Sequence, residues 1–154
     1  MLKKPFLIVV GIIFIVTLAG CNPENNTQRN SVHPINVTEI SAKNTYDQSK
    51  SNKAKKILSK KENITRVLAA NTDKILIIAI EIPHHERFGL QKVNKELSKE
   101  MDEEFKDIKV ELVTDKKIVI ELEKIEERLQ NHDITKKELE KELKHISKLL
   151  KEQT

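Results

Sequence analysis

The sequence predicts an α+β fold: a small sheet of about three strands covered by helices, in the order helix-strand-strand-helix-strand, with a C-terminal helical tail. Two observations carry this prediction. The segment 74–82 is apolar at both alternating sets of positions, which is typical of a strand that is central in its sheet or covered on both faces. The segment 90–105 instead places its apolar residues three and four positions apart, along one face of a helix.

The predicted domain begins near Tyr46 with a lysine-rich helix that extends to about Glu62. Ile57 and Leu58 follow Ala54 by three and four positions, so the three share one helical face. The remaining face is basic and is expected to be exposed.

Two segments of strand character follow, 64–70 and 74–82. The polar group Asn71-Thr72-Asp73 between them favours a hairpin turn. Pro83 ends the second strand, because proline donates no ladder hydrogen bond.

The helix predicted over 90–105 directs its apolar stripe at the sheet. Residues 108–113 then alternate between apolar and more polar positions, which predicts a third strand with one wetter face. Thr114 and Asp115 close this strand. Together these segments predict helices that cover one face of the sheet.

The C-terminal region leaves one alternative open. Segment 116–130 fits a strand at Ile118, Ile120 and Leu122, but its longer periodicity and its helix-forming residues favour a helix. The segment 135–138 matches a capping box that starts a last helix. This helix is expected to pack against the preceding one, with an exposed stripe that seeks a partner helix as the alternative.

The N-terminus has the features of a bacterial lipoprotein signal. Lys3 and Lys4 precede an apolar stretch that ends in Leu18-Ala19-Gly20-Cys21, which looks like a lipobox. Cleavage before Cys21 would leave 134 of the 154 residues, with lipid on the sulfur and on the new amino terminus. Two or three acyl chains bury enough methylene groups for stable membrane anchoring, and the apolar stretch is too short for a typical transmembrane helix.

The sequence therefore predicts three regions. Residues 1–20 are a signal peptide, 21–45 a lipidated flexible tether, and 46–154 the α+β domain with its C-terminal helices. The alternative for part of the tether is an edge strand over 35–38.

Composition limits the partners. Removing Lys3 and Lys4 from the 28 basic residues leaves 26 against 24 acidic ones, interleaved along the chain, and few aromatic residues are present for stacking on bases. We expect no nucleic-acid binding and identify no small-molecule substrate.

No catalytic pattern stands out. His84, His85 and Glu86 have metal-ligand side chains, but neighbouring histidines on a loop do not usually converge, so we predict no metal and no cofactor. The carboxylate pairs Glu103-Glu104 and Glu126-Glu127 are interpreted as exposed helix faces. The sequence predicts a protein that is not an enzyme.

The order of elements resembles the sporulation lipoproteins of YhcN/YlaJ type from spore-forming bacilli. The resemblance rests on 53–58 leading into 64–75, and on 90–105 followed by 108–112. The apolar start of 116–130 departs from the small and acidic helix start expected for that family. The resemblance implies a role in spore formation or germination without an established catalytic activity.

The resulting expectation is a non-enzymatic lipoprotein of the spore or forespore envelope. It would be held on the extracytoplasmic face of the cell membrane through Cys21, in the forespore or spore inner membrane. It would act in sporulation or germination by binding envelope proteins or by self-assembly. The alternative is a general cell-surface lipoprotein that acts as an interaction or inhibitor module outside sporulation.

Overall fold

The computed structural model describes residues 35, 37–40, 45–83 and 89–152. The elements in this part of the chain are α1 (Ser49–Leu58), β1 (Arg66–Asn71), β2 (Ile75–Glu81), α2 (Leu90–Glu104), β3 (Lys109–Val113), α3 (Lys116–Gln130) and α4 (Lys136–Glu152). The predicted order of helix, strand, strand, helix and strand is confirmed, as is the helical C-terminal region.

The three strands form one sheet in the order β1-β2-β3. β1 and β2 are an antiparallel hairpin, with Asn71 opposite Leu76 beside the turn. β3 returns parallel to β2, with Lys109 opposite Ile75. The apolar strand β2 is therefore central, and β1 and β3 are the two edges.

Helices cover both faces of the sheet, so the expectation of one covered face is wrong. The strand β2 explains why, because its alternating side chains are apolar on both sides and are fully buried from Leu76 to Ile80. Ile77 and Ala79 pack with α3 and α4, whereas Ile78 and its neighbours two positions away pack with α1 and α2.

The first helix ends at Leu58, four residues before the predicted end. One more turn would place Lys61 and Glu62 on the buried stripe, where charged side chains lose their hydration. Instead, the amide of Lys61 donates to Leu58 O at 3.0 Å in a tight turn.

The hairpin turn is shifted by one residue. Asn71 is the last residue of β1 and is 2 % exposed, whereas Thr72 begins the turn. The Thr72 hydroxyl accepts from the amides of Lys74 and Ile75 at 3.1 and 3.3 Å. The sequence predicts a turn that begins at Asn71. In the structure, Asn71 instead forms hydrogen bonds at the outer edge of the sheet, and the turn begins at Thr72.

Segment 116–130 is a helix, as favoured. Asp115 caps it, since its carboxylate accepts from the amides of Lys117 and Ile118 at 2.8 and 3.1 Å. The stripe that includes Leu122 and Leu129 is buried against the sheet and α4. Ile120, which only the strand alternative would bury, is 51 % exposed.

The capping box of α4 is also confirmed. The amide of Thr135 donates to the Glu138 carboxylate at 2.8 Å, and the amide of Glu138 donates back to Thr135 Oγ1 at 3.3 Å. The Thr135 hydroxyl also donates to this carboxylate at 2.7 Å, and the hydrogen bonds from the hydroxyl and the amide of Thr135 hold the pKa of Glu138 below its usual value. Leu139, Leu143 and Ile146 pack α4 onto α3 as predicted.

Within the described part of the chain, no helix combines the length and the apolar character needed to cross a membrane.

Candidate interaction edges of the sheet

Side chains occupy the outer edge of β1. In the antiparallel ladder the backbone groups of Ala69 and Asn71 point away from β2. Glu126 Oε1 accepts from the amide of Ala69 at 2.7 Å. Gln48 accepts from the amide of Asn71 at 3.0 Å and donates to its carbonyl at 2.8 Å. These side chains take the places that a further strand would need.

Asn71 also joins this edge to the start of α1. Its Oδ1 accepts from the amide of Ser51 at 3.2 Å and from the Ser51 hydroxyl at 2.7 Å. Its Nδ2 donates to Asp47 O at 2.9 Å. An amide in the first turn of α1 is thus satisfied from the sheet rather than by the N-cap residue Gln48.

A buried ion pair lies at the same edge. Lys55 Nζ is 3.0 Å from Glu126 Oε1, and the two side chains are 0 % and 6 % exposed. Burial raises the pKa of the Glu126 carboxyl, although the Lys55 ammonium and the Ala69 amide oppose the shift. A carboxylate in this position accepts from both the ammonium and the strand.

The ion pair also holds the segment before the domain. Lys55 Nζ donates to Thr38 O at 2.6 Å. Next to it, Asn52 and Ile40 exchange two hydrogen bonds of 3.0 and 2.9 Å, and Ile40 is buried. The alternative of an edge strand over 35–38 is wrong for its described residues, none of which lies in a strand.

Neither partner was predicted as a buried charge. Glu126 was interpreted as part of an exposed carboxylate pair, and this is wrong, although Glu127 and the pair Glu103-Glu104 are exposed as expected. The spacing of these two residues from buried leucines does indicate their burial. Lys55 precedes Leu58 by three positions and Glu126 follows Leu122 by four, so each charge falls on an apolar stripe.

The outer edge of β3 is different. The amide of Lys109 donates to Lys74 O at 3.2 Å, so Lys109, Glu111 and Val113 direct their backbone groups at β2. The amides and carbonyls of Val110 and Leu112 then face outward. No described residue forms a hydrogen bond with them.

A groove of about 340 Å³ runs along this edge. Its floor is β3, and its two sides are helices from opposite faces of the sheet. Ser98 and Asp102 contribute one side from α2, and Leu150 and Lys151 contribute the other from the end of α4.

One polar atom at this edge, and one on the neighbouring helix α2, have no hydrogen-bond partner among the described residues. Glu111 Oε1 accepts from the Ser147 hydroxyl at 2.8 Å and pairs with Lys109. Glu111 Oε2 and Asn94 Oδ1 are buried, and neither finds a hydrogen-bond partner among the described residues. Asn94 precedes Ser98 by one helical turn and so lies on the same face of α2. Buried acceptors without a donor are uncommon in folded proteins.

A second hollow, of about 490 Å³, lies between α3 and α4. Several of its charged side chains pair with one another: Arg128 contacts Glu142 and lies 3.4 Å from Glu138. These pairs link α3 to α4, and Lys141 and His145 line the same hollow.

Several predicted features fall outside the described residues. These are Leu18, Ala19, Gly20 and Cys21 of the lipobox, and the loop residues His84, His85 and Glu86. Within the described ranges, no group of three or more histidine, cysteine, aspartate or glutamate side chains is arranged to hold a metal ion.

No family model, curated protein or solved structure matches this chain. The resemblance to the YhcN/YlaJ lipoproteins therefore stays a prediction from the sequence.

Proposed function

We propose that this chain is a lipid-anchored, non-enzymatic interaction module of the spore or forespore envelope, acting in sporulation or germination. In this proposal, Cys21 carries the lipid, the residues after it form the tether up to the segment 37–40 that is docked on α1, and the β3 edge binds envelope proteins or a further copy of the chain. The lipobox and the resemblance support the location, and the sheet supports the mode of binding.

The observation that carries the proposal is the difference between the two edges. Exposed edge strands invite pairing with other chains, and proteins commonly block them. Here the Ala69 and Asn71 amides are bonded to side chains, whereas the Val110 and Leu112 backbone groups, at the floor of a groove, have no partner among the described residues. Addition of a strand to such an edge is a recurring mode of peptide recognition.

The location is tested by following tagged full-length protein, beside a Cys21→Ala version, through growth and sporulation of its host. Appearance in the forespore membrane, and loss from that membrane without Cys21, supports the spore-envelope assignment. Steady expression in vegetative cells contradicts it and favours the general cell-surface lipoprotein.

The mode of binding is tested by Val110→Pro. The amide at this position faces away from β2, so proline removes an outward donor without removing a ladder bond. Val110→Ala is the matched control, because it loses the same side-chain packing and keeps the amide. We expect only the proline variant to lose crosslinking to its envelope partner in membranes. Equal crosslinking by the two variants would contradict the use of this edge.

A further inference from the structure

The β3 strand is self-complementary in charge. Its sequence is Lys109-Val110-Glu111-Leu112-Val113, and Lys109 and Glu111 project on the same face of the sheet. Within one chain they already pair with each other. Two copies in an antiparallel arrangement can therefore place each charge opposite its complement.

Building on the proposed edge function, we propose that β3 pairs antiparallel with β3 of a second copy, about a twofold axis at Val110. Lys109 of each copy then lies opposite Glu111 of the other. The two three-stranded sheets become one continuous sheet of six strands.

Backbone geometry allows this register. In antiparallel pairs, two opposed residues exchange both hydrogen bonds when their backbone groups face each other. The groups of Val110 face outward, so Val110 can exchange bonds with its own counterpart. Lys109 of one copy and Glu111 of the other then form the adjacent non-hydrogen-bonded pair, the position at which opposed side chains lie closest.

Neighbouring registers fit less well. A twofold axis at Glu111 also aligns outward backbone groups, but it sets Glu111 opposite Glu111 of the second copy. Like charges directly opposed on a sheet are destabilising. An axis at Leu112 sets Glu111 opposite Val113, and Lys109 opposite Asp115, which lies beyond β3 and already caps α3. Among the residues of β3 itself, only the register at Val110 gives two complementary pairs.

The unsatisfied Oε2 of Glu111 also supports a second copy of the chain as the binding partner of this edge. Glu111 Oε2 is buried at the groove and has no donor among the described residues, while Oε1 is already used by Ser147 and Lys109. The register at Val110 brings a second ammonium, from Lys109 of the other copy, beside this carboxylate. A neutral peptide strand would supply no such donor.

Anchoring makes a short pairing strand sufficient. Two copies that share a membrane are confined together, and confinement raises the effective concentration of each for the other. Dimerisation is therefore expected on membranes even where it is weak in dilute solution.

The test uses two differently tagged full-length chains, co-expressed and crosslinked within the membrane before solubilisation, with co-purification of the two tags as the measurement. The parent chains should co-purify. Lys109→Glu paired with itself, and Glu111→Lys paired with itself, should each lower co-purification by about tenfold, because each creates two like-charge pairs. Lys124→Glu on α3, an exposed reversal of equal charge, should leave co-purification unchanged.

The decisive arm mixes the two single variants. A Lys109→Glu chain carries two glutamates on the strand, and a Glu111→Lys chain carries two lysines, so the mixed pair is again complementary. Co-purification should return to the parental amount. The mixture contains the same two chains that fail alone, so a repaired fold cannot explain the recovery.

Failure of the mixture to recover, or absence of parental co-purification, would overturn this pairing. The Val110→Pro variant separates that result from failure of the proposed function. If the pairing between copies fails but Val110→Pro loses crosslinking to an envelope protein, the β3 edge binds a strand of that protein rather than β3 of a second copy. If Val110→Pro also behaves as Val110→Ala does, both proposals fail.

Discussion

The two edge strands of this sheet differ in how their outward-facing backbone groups are bonded. At β1, side chains from α3 and from the segment before α1 accept the outward amides of Ala69 and Asn71, and a lysine buried beneath them balances the carboxylate. At β3, the outward groups of Val110 and Leu112 meet a groove between two helices. Covering an edge therefore takes specific polar groups, and the described part of this chain supplies them at β1 and not at β3.

The closed edge is built at an electrostatic cost. Bringing Lys55 and Glu126 out of water is unfavourable, and their attraction offsets this only while both are present and hydrogen-bonded. Glu126 Oε1 accepts two hydrogen bonds, one from the Lys55 ammonium and one from the Ala69 amide. The edge should therefore be sensitive to the loss of either partner.

Substitution of Lys55 should destabilise the domain most. Lys55→Met leaves the Glu126 carboxylate buried without its cation, and the free energy of unfolding at pH 7 should fall by about 3–5 kcal/mol. Urea denaturation of the full chain measures this change. The control is Lys55→Met combined with Glu126→Gln, which removes both charges and keeps an acceptor for Ala69. The double variant should recover most of the loss, and a loss equal to that of the single variant would show that charge is not the cause.

The pH dependence of the same variant is the second prediction. The pKa of Glu126 is already raised by burial, and without Lys55 it should rise further. The folded state then binds a proton more tightly than the unfolded state, so stability is gained as pH falls through the folded pKa. The difference in stability between parent and Lys55→Met should shrink from pH 7 to pH 5. A difference that is constant over this range would contradict the assignment.

A smaller effect is expected at Gln48, compared with a matched truncation at the open edge. Gln48→Ala leaves the buried amide and carbonyl of Asn71 without partners, and should cost about 1–3 kcal/mol. Asp102→Ala removes an exposed side chain that lines the open groove, and should change stability by less than about 0.5 kcal/mol. Thermal unfolding at a concentration where the chain is monomeric separates the two. Equal costs would remove the contrast between the edges.

The smallest effect concerns Tyr46, which precedes the closed edge and whose carbonyl accepts from Gln48 at 2.9 Å. Its hydroxyl donates to Glu140 of α4, and this hydrogen bond raises the pKa of Tyr46 to about 12. Tyr46 is the one tyrosine of the chain, so absorbance at high pH follows it alone. Glu140→Gln should lower the pKa of Tyr46. An unchanged titration would show that Tyr46 is not docked on α4.

Much of the fold is predictable because local patterns report it. The apolar strand β2, the stripe of α2 and the capping box at Thr135 and Glu138 each depend on residues close in sequence. The helix at 116–130 was favoured for the same reason. From the sequence, Asp115 is interpreted as the end of a strand, but it is the N-cap of this helix. Recognising it as an N-cap decides between helix and strand for 116–130.

The edges were less predictable because they depend on long-range contacts. Lys55 and Glu126 are 71 positions apart, and each lies among other charged residues that are exposed. Asn71 resembles a turn residue, yet it is buried and bonded to Ser51, 20 positions away. Sequence spacing places these residues on a buried face, but only the folded chain shows what they meet.

Amide hydrogen exchange of the full chain would test the contrast between the edges most directly. It should be measured in the Lys109→Glu variant, so that pairing between copies does not protect β3. The amides of Ala69 and Asn71 should exchange only as fast as the whole domain unfolds, whereas those of Val110 and Leu112 should exchange several orders of magnitude faster. Equally slow exchange at all four amides would contradict the account of one closed and one open edge.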